Sequence, residues 1–240
     1  MTTVRIVAPR SHSPGAHPYV FDRRRPSDAG RRVLNVTVAA AGIVLIAPLM
    51  VVIGLLIKLT SRGSVFYTQT RVGIDRRKPG EPAGNNRRLH DHGGKPFTIY
   101  KFRTMTSNGT PHHPAGEVWA LRHDPRVTPV GRVLRSTRLD ELPQLLNVLR
   151  GEMNIVGPRP EQPAIFARLR AEIERYQERQ RVHPGITGWA QINRSYDTCI
   201  DDVRRKLEYD LEYVHRRSVV EDFRIMLRTL PVLIFRQGGW

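Results

Sequence analysis

From Val33 to Ile57 the chain runs for 25 residues, VLNVTVAAAGIVLIAPLMVVIGLLI, without one charged side chain. A straight helix of that length would extend roughly 37 Å, beyond the ~30 Å hydrocarbon core of a bilayer. A buried core helix is usually shorter. A cleaved signal would have a shorter apolar region nearer the start, whereas 32 residues precede this one. The run is read as a segment that meets lipid.

Its flanks complicate a simple crossing. Arg23, Arg24, Arg25, Arg31 and Arg32 stand before it, and Lys58 and Arg62 after it. Basic residues mark the cytoplasmic side, and one crossing cannot put both flanks there. Pro48 offers a resolution, because it lacks an N–H and clashes with the carbonyl of Val44, which kinks a helix. The arms on either side of it would measure roughly 22 and 13 Å, too short for either to span. From the residues alone two topologies stand: a kinked, re-entrant hairpin, and a spanning helix with an ordinary proline kink.

Lysine and arginine number 39 against 22 acids, a formal charge of +17. Such a balance predicts an anionic partner: nucleic acid, an acidic membrane surface or a phosphorylated substrate. Zinc-finger spacing, RNP-type aromatic motifs and a basic zipper are missing, and nucleic-acid binding leaves the charge-free run unexplained. Cys199 is the only cysteine, so an internal disulfide and a thiolate zinc site are excluded. A non-catalytic polybasic membrane adaptor remains the competing reading.

Residues 1–32 read as a disordered basic tail, 33–58 as the membrane segment, and 59–240 as one domain. Residues 64–72 and 96–103 are rich in β-branched and aromatic side chains and predict two strands, joined by a long mobile tip from Asp75 to Gly94. Alternating charges around Ile165, Leu169, Ile173 and Tyr176 predict a solvated helix over 161–181. In 219–235, Val219, Val220, Phe223, Met226, Leu227 and Leu230 recur at helical spacing. That apolar face is expected against the catalytic core, with a seat in the membrane interface as the alternative. His90, His92, His112 and His113 lie in Gly/Pro-rich loops and read as solvated.

Chemistry concentrates between residues 101 and 191. Asp140 and Glu141 immediately precede Leu142-Pro143, and Leu145, Leu146 and Leu149 follow at helical spacing, which places both carboxylates at a helix start. First-turn acids are ordinary there, but these are surrounded in sequence by Lys101, Arg103, Arg132, Arg135, Arg138 and Arg159. Two adjacent carboxylates with no cation between them would repel, and Mg²⁺ would relieve this by taking one or two carboxylates together with phosphate oxygens. Carboxylate, Mg²⁺ and arginines are the apparatus of phosphoryl transfer. The GPRPE turn, Gly157 to Glu161, presents one arginine suited to a diphosphate.

Four motifs, YKFRTM (Tyr100 to Met105), DPRVTPVGRVLR (Asp124 to Arg135), LDELPQLLNVLRGEMNIVGPRP (Leu139 to Pro160) and HPGITGWAQIN (His183 to Asn193), occur in one order. From about Arg32 to the C-terminus the chain resembles the small, minimal members of the bacterial sugar transferase family, the monotopic polyprenyl-phosphate phosphoglycosyl transferases. The resemblance implies an α+β, mostly α fold: a re-entrant membrane helix and a compact helical catalytic domain with a small β-hairpin. It implies transfer of a sugar 1-phosphate from a UDP-sugar to undecaprenyl phosphate or a similar polyprenol at the cytoplasmic face of the inner membrane. It further implies that UMP would be released through a covalent aspartyl-phosphosugar intermediate, with Mg²⁺ as cofactor. The product would begin exopolysaccharide, capsule, O-antigen or glycoprotein glycan assembly.

By motif position Asp140 would be nucleophile and metal ligand, and Glu141 its dyad partner. Lys101, Arg103, Arg135, Gln144, Pro158 and Arg159 would bind substrate, Arg135 by anchoring the carboxylates or phosphate. The helix start, Mg²⁺ and Arg135 are expected to keep the Asp140 pKa low. The family breaks its membrane helix at Ser-Pro. Here the pair is Ala47-Pro48, which keeps the proline and lacks the hydroxyl. Two further departures are the long tip from Val72 to Lys95 and His183, which stands where an arginine is usual before Pro-Gly.

Overall fold

The computed structural model describes residues 27–77, 91–106, 124–194 and 199–235. The expected tail up to residue 26, the tip over 78–90, and His90, His112 and His113 lie outside those residues.

The charge-free run forms the middle of one helix, α1 (Ser27–Thr60), with Asp28 in its first turn and Lys58 in its last, as the helix dipole favours. Its two faces differ. Arg31, Asn35, Ala39, Ile53 and Ile57 are buried, with Arg31, Asn35 and Ala39 four apart on one face. Val33, Val44, Leu45, Val51, Leu55 and Leu59 are exposed, and only 11% of the most apolar 18-residue window is buried. Pro48 lies inside this helix, so the helical run continues past it.

Strand β1 (Phe66–Val72) pairs antiparallel with β2 (Pro96–Phe102), Phe66 facing Phe102 and Val72 facing Pro96. The base of the long tip is ordered. Arg77 bonds to Asp75 and Asp91, Arg170 to Asp91, and Gln177 to Asp75. Asp75 to Arg77 and Asp91 to Gly94, expected to be part of a mobile tip, are instead held by these paired charges.

Thr128 caps helix α2 (Pro129–Ser136), its hydroxyl accepting from the N–H of Gly131 at 2.9 Å. A 3-10 turn (Leu139–Gln144) then leads into the short α3 (Leu145–Leu149). A parallel pair of short strands that sequence periodicity did not announce follows: β3 (Asn154–Val156) beside β4 (Gly185–Thr187). Between them lie α4 (Pro163–Glu172) and a second 3-10 turn (Tyr176–Arg181). The single helix expected over 161–181 is thus broken in two. Arg175 adopts a left-handed φ of 65°, and Leu169, Ile173 and Tyr176 turn inward against Phe166, Leu207 and Leu211. Burial of that cluster outweighs the local preference for a continuous helix.

Helices α5 (Trp189–Asn193), α6 (Ile200–Arg216) and α7 (Val219–Phe235) complete the fold. The α+β, mostly helical class holds. The main core joins Val148, Met153, Ile155 and Val156 to Tyr213, Val214 and Ile225, with Phe97 and Ile99 from β2. The orientation of α7 corrects the sequence expectation. Asp222, Ile225 and, in part, Met226 face inward, whereas Val220, Phe223, Leu227 and Leu230 are each more than half exposed. The cause is a buried polar lock: Arg31 donates to Asp222 at 2.8 Å and to the Tyr213 hydroxyl at 2.6 Å, and Tyr213 donates to Asp222 at 2.8 Å. Satisfying that carboxylate inside fixes which face of α7 points out.

Both ends of α1 rest on the same domain. Near its start, the Asn35 side chain accepts from the N–H of Ile155 at 2.6 Å, and Arg32 donates to the carbonyls of Val148 and Leu149 at 2.6 and 2.7 Å, closing the C-terminus of α3. Near its end, Ile53 and Ile57 pack with Phe102 and Leu134. Arg103 donates to the carbonyls of Ser61 and Arg62 just past that end, at 2.9 and 2.5 Å.

Candidate active site

The centre of the site is a carboxylate pair on the 3-10 turn. Asp140 and Glu141 are 9% and 6% exposed, so both charges depend on protein partners rather than bulk water. The turn is fixed at both ends. Arg138 enters it in the left-handed region with φ 59°, and Pro143 lies within it. The sequence expectation of a helix start holds, but the first turn is 3-10 and the α-helix after it is only five residues long.

Cations close in from two other segments. Lys101, on β2, donates to Glu141 at 2.8 Å and stands 3.9 Å from Asp140. Arg159 donates to the same Glu141 oxygen at 2.8 Å, and Arg138 lies 4.0 Å from it. Lys101 therefore sits between the carboxylates, and the expectation of an unshielded repelling pair fails. A metal is not needed to hold the two acids together.

The two acids are driven apart electrostatically. Burial alone would raise Glu141, but Arg159 and Lys101 outweigh it and hold this carboxyl well below its ordinary range. Asp140 is raised instead: burial is the main cause, partly offset by Lys101 and reinforced by the negative charge of Glu141. The protein's own groups alone therefore do not lower the Asp140 pKa; the expected lowering included a bound Mg²⁺. Glu141 takes the strong cationic contacts and Asp140 does not.

Two devices hold the cations. Asn147, fully buried, accepts from the N–H of Tyr100 at 3.2 Å and donates to the carbonyl of Thr98 at 2.7 Å, pinning the strand that carries Lys101 to the helix after the dyad. Four successive carbonyls of the Arg159 loop each accept a bond: Pro158 from Gly185 at 2.9 Å, Arg159 from Arg179 at 3.0 Å, Pro160 from Arg71 at 3.2 Å and Glu161 from Val72 at 2.9 Å. Arg179 is itself buried and paired with Asp210 at 2.8 Å. The HPGITG segment explains its glycines here. A Cβ on Gly185 would come within 2.0 Å of the Gly157 nitrogen, and one on Gly157 within 2.3 Å of the His183 carbonyl. The motif lets the two strands touch and so locks the loop.

Among the expected site residues, Lys101, Asp140, Glu141 and Arg159 are brought together. Pro158 belongs to the locked loop, and Gln144 is buried on the dyad's own turn. Arg103 is not brought in. It is 8% exposed, and its terminal nitrogens donate to the carbonyls of Ser61 and Arg62 and to the Ser61 hydroxyl, just past the end of α1. Arg135 lies on α2, where its charge helps to lower the Asp124 pKa. Sequence reasoning gave no role to Asn147 or Arg179, because a buried polar side chain has no periodic signature. Arg138 carried a weak signal, its place two residues before the dyad.

Among the described residues no group of three or more His, Cys, Asp or Glu side chains gathers. The donor set nevertheless fits a divalent cation that arrives with phosphates. Asp140 is the carboxylate not consumed by a close cation, and Mg²⁺ commonly uses one or two carboxylates and completes its shell with phosphate and water.

The family model described as "Bacterial sugar transferase" matches residues 26–236. A UDP-N-acetylgalactosamine-undecaprenyl-phosphate N-acetylgalactosaminephosphotransferase of Aeromonas hydrophila is 39% identical over 209 residues, 87% of this chain and 44% of that protein. A UDP-glucose:undecaprenyl-phosphate glucose-1-phosphate transferase of Caulobacter vibrioides is 40% identical, covering 89% of this chain and 73% of that one. Exopolysaccharide production protein ExoY of Sinorhizobium fredii is 34% identical over 88% of each. The chain thus spans less than half of the A. hydrophila relative and nearly all of ExoY. With the family match covering almost all described residues, the chain belongs to the bacterial sugar transferase family.

Proposed function

We propose that this protein transfers a sugar 1-phosphate from a UDP-sugar to a polyprenyl phosphate, undecaprenyl phosphate or a similar lipid, and releases UMP. The observation that carries this reading is the division of labour in the carboxylate pair. Glu141 anchors Lys101 and Arg159 at 2.8 Å, while Asp140 beside it keeps its oxygens for another partner. The names of the relatives support the substrate classes.

In this reading an Asp140 oxygen attacks the phosphorus that bears the sugar. A P–O bond forms to the carboxylate, the bridging P–O bond breaks, and its electron pair leaves with UMP. A phosphate oxygen of the polyprenyl phosphate then attacks the same phosphorus, and the Asp140 carboxylate is regenerated. Lys101 has three donors and Arg159 five, so each retains N–H groups for phosphate oxygens while Glu141 fixes its position. Bound Mg²⁺, with Asp140 as its protein ligand, would neutralise charge on the diphosphate. The loop bonds from Arg71 and Arg179 keep Arg159 positioned before substrate arrives.

The re-entrant topology belongs to this proposal. A helix crossing the bilayer puts its two ends in different aqueous compartments. Here Asn35 near one end and Ile57 near the other both contact the same domain, with basic residues at both flanks. Entry and exit by the cytoplasmic face satisfies both. The exposed apolar faces of α1 and α7 then meet lipid, which brings the polyprenyl phosphate to the dyad. The lipid-linked product feeds exopolysaccharide assembly or a related glycan.

The test is UMP release by the purified protein from a panel of UDP-sugars, with undecaprenyl phosphate and with or without Mg²⁺. One or more sugars should support Mg²⁺-dependent release that Asp140→Asn abolishes. Membrane binding with no release from any UDP-sugar would instead favour the polybasic adaptor.

A further inference from the structure

A cavity of about 620 Å³ opens beside the first turns of α1, and none of Lys101, Asp140, Glu141 and Arg159 lines it. Five segments supply its arginines: Arg31 and Arg32 from α1, Arg76 from the hairpin, Arg150 after α3, Arg181 from the second 3-10 turn and Arg217 between α6 and α7. Among the described residues Asp28 is the only acid in the lining. Arg31 is paired with Asp222 at 2.8 Å, and Arg181 stands 3.9 Å from Asp75. Three others make hydrogen bonds to neutral groups: Arg32 to the carbonyls of Val148 and Leu149, Arg150 to the hydroxyl of Tyr100, and Arg217 to the carbonyl of Val214.

Like charges gathered in one concave space repel, and burial strengthens the repulsion. His183, the residue that departs from the family's usual arginine, lines the same cavity, and its Nδ1 is buried with no hydrogen-bond partner. Its pKa is lowered, first by burial and then by Arg76, with Arg31 and Arg32 acting in the same direction. The imidazole thus registers the positive field. Guanidinium forks converging from several segments match the oxygens of a phosphate group. Arg31 and Arg32 also immediately precede the charge-free run, the level at which lipid headgroups would lie if α1 is immersed.

We propose that this cavity binds a phosphate-bearing anion at a site separate from the carboxylate cluster. The headgroup of an anionic phospholipid and a soluble phosphate compound share that chemistry, and the experiment separates them. The site stands independently of the reaction proposed above, since binding is read without any UDP-sugar.

The measurement is native mass spectrometry of the full chain in neutral detergent. Phosphatidylglycerol is offered in competition with phosphatidylcholine in one arm, and pyrophosphate in the other. The expected result is one retained anion, as phosphatidylglycerol or as pyrophosphate, with occupancy falling at least about tenfold in Arg76→Gln/Arg217→Gln, the scale of one or two lost charge-assisted bonds. Arg76 is exposed, and an unchanged Tm establishes that the variant is folded. Arg150→Gln provides a second, independent variant. The proposal is overturned if neither anion is retained, if phosphatidylcholine is held as well as phosphatidylglycerol and pyrophosphate is not held, or if an anion is retained and neither arginine variant lowers its occupancy.

Discussion

Replacing Asp222 by Ala removes the one carboxylate that meets the buried Arg31 guanidinium from α7. The Arg31 and Asp222 side chains are 5% and 0% exposed and 2.8 Å apart, and Tyr213 bonds to both. The change leaves a cation buried without that counter-charge and the Tyr213 hydroxyl without one acceptor, although the Val156 carbonyl remains at 3.0 Å. Breaking a buried pair from one side costs about 3–5 kcal/mol, a large share of the 5–15 kcal/mol typical of a domain. At roughly 2–4 °C per kcal/mol for a chain of this size, Tm should fall by about 6–20 °C. The assay is thermal unfolding of the full chain in neutral detergent at one fixed scan rate. Arg31→Met/Asp222→Leu removes both charges and should recover most of the loss, because an apolar pair carries no desolvation penalty. A Tm within about 2 °C of wild type for Asp222→Ala would refute the lock and, with it, the account of why α7 turns its apolar face outward. A double variant as unstable as the single one would refute the electrostatic explanation.

Without Mg²⁺, the raised pKa of Asp140 predicts a carboxyl that titrates above the ordinary aspartate range, read by NMR of the labelled side chain. Glu141→Gln removes a charge that raises this pKa, so the titration should move to lower pH; movement to higher pH would contradict the electrostatic account. Lys101→Met removes a charge that lowers it, and should move the titration the other way. Arg103→Gln should lower Tm and leave the KM for UDP-sugar unchanged, because its donors serve the end of α1, whereas Arg159→Gln should raise that KM; equal effects on KM would restore Arg103 to the donor site. Tags at residue 10 and at the C-terminus should both be cytoplasmic, and a periplasmic label at one end alone would establish a spanning helix. Pro48→Ala should favour that straight helix by about 3 kcal/mol.

What the sequence disclosed follows from where periodicity governs. The two strands and α1 were legible because β-branched runs and a charge-free stretch bury or immerse whole faces. Asp140 and Glu141 were legible because Pro143 marks a helix start. The break at Arg175 was not, since that turn contains neither Gly nor Pro and is imposed by the packing of Ile173 and Tyr176. The inward face of α7 was also hidden. A sequence rule turns Phe223 and Leu227 inward, and only the distant Arg31 makes Asp222 the buried residue. The hydrogen bonds of Arg103 were hidden for a related reason: near a phosphate-binding motif an arginine reads as a ligand, and the carbonyls it meets here lie 41 and 42 positions away in sequence.

The central claim is that Asp140 carries the sugar phosphate. Intact-protein mass spectrometry tests it with Mg²⁺ and the UDP-sugar that supports turnover, and with polyprenyl phosphate omitted. The wild type should gain the mass of one sugar phosphate, which mild hydroxylamine removes as it does an acyl phosphate, and Asp140→Asn should gain nothing. An adduct that persists on Asp140→Asn, or wild-type transfer that proceeds with no adduct at all, would contradict the account.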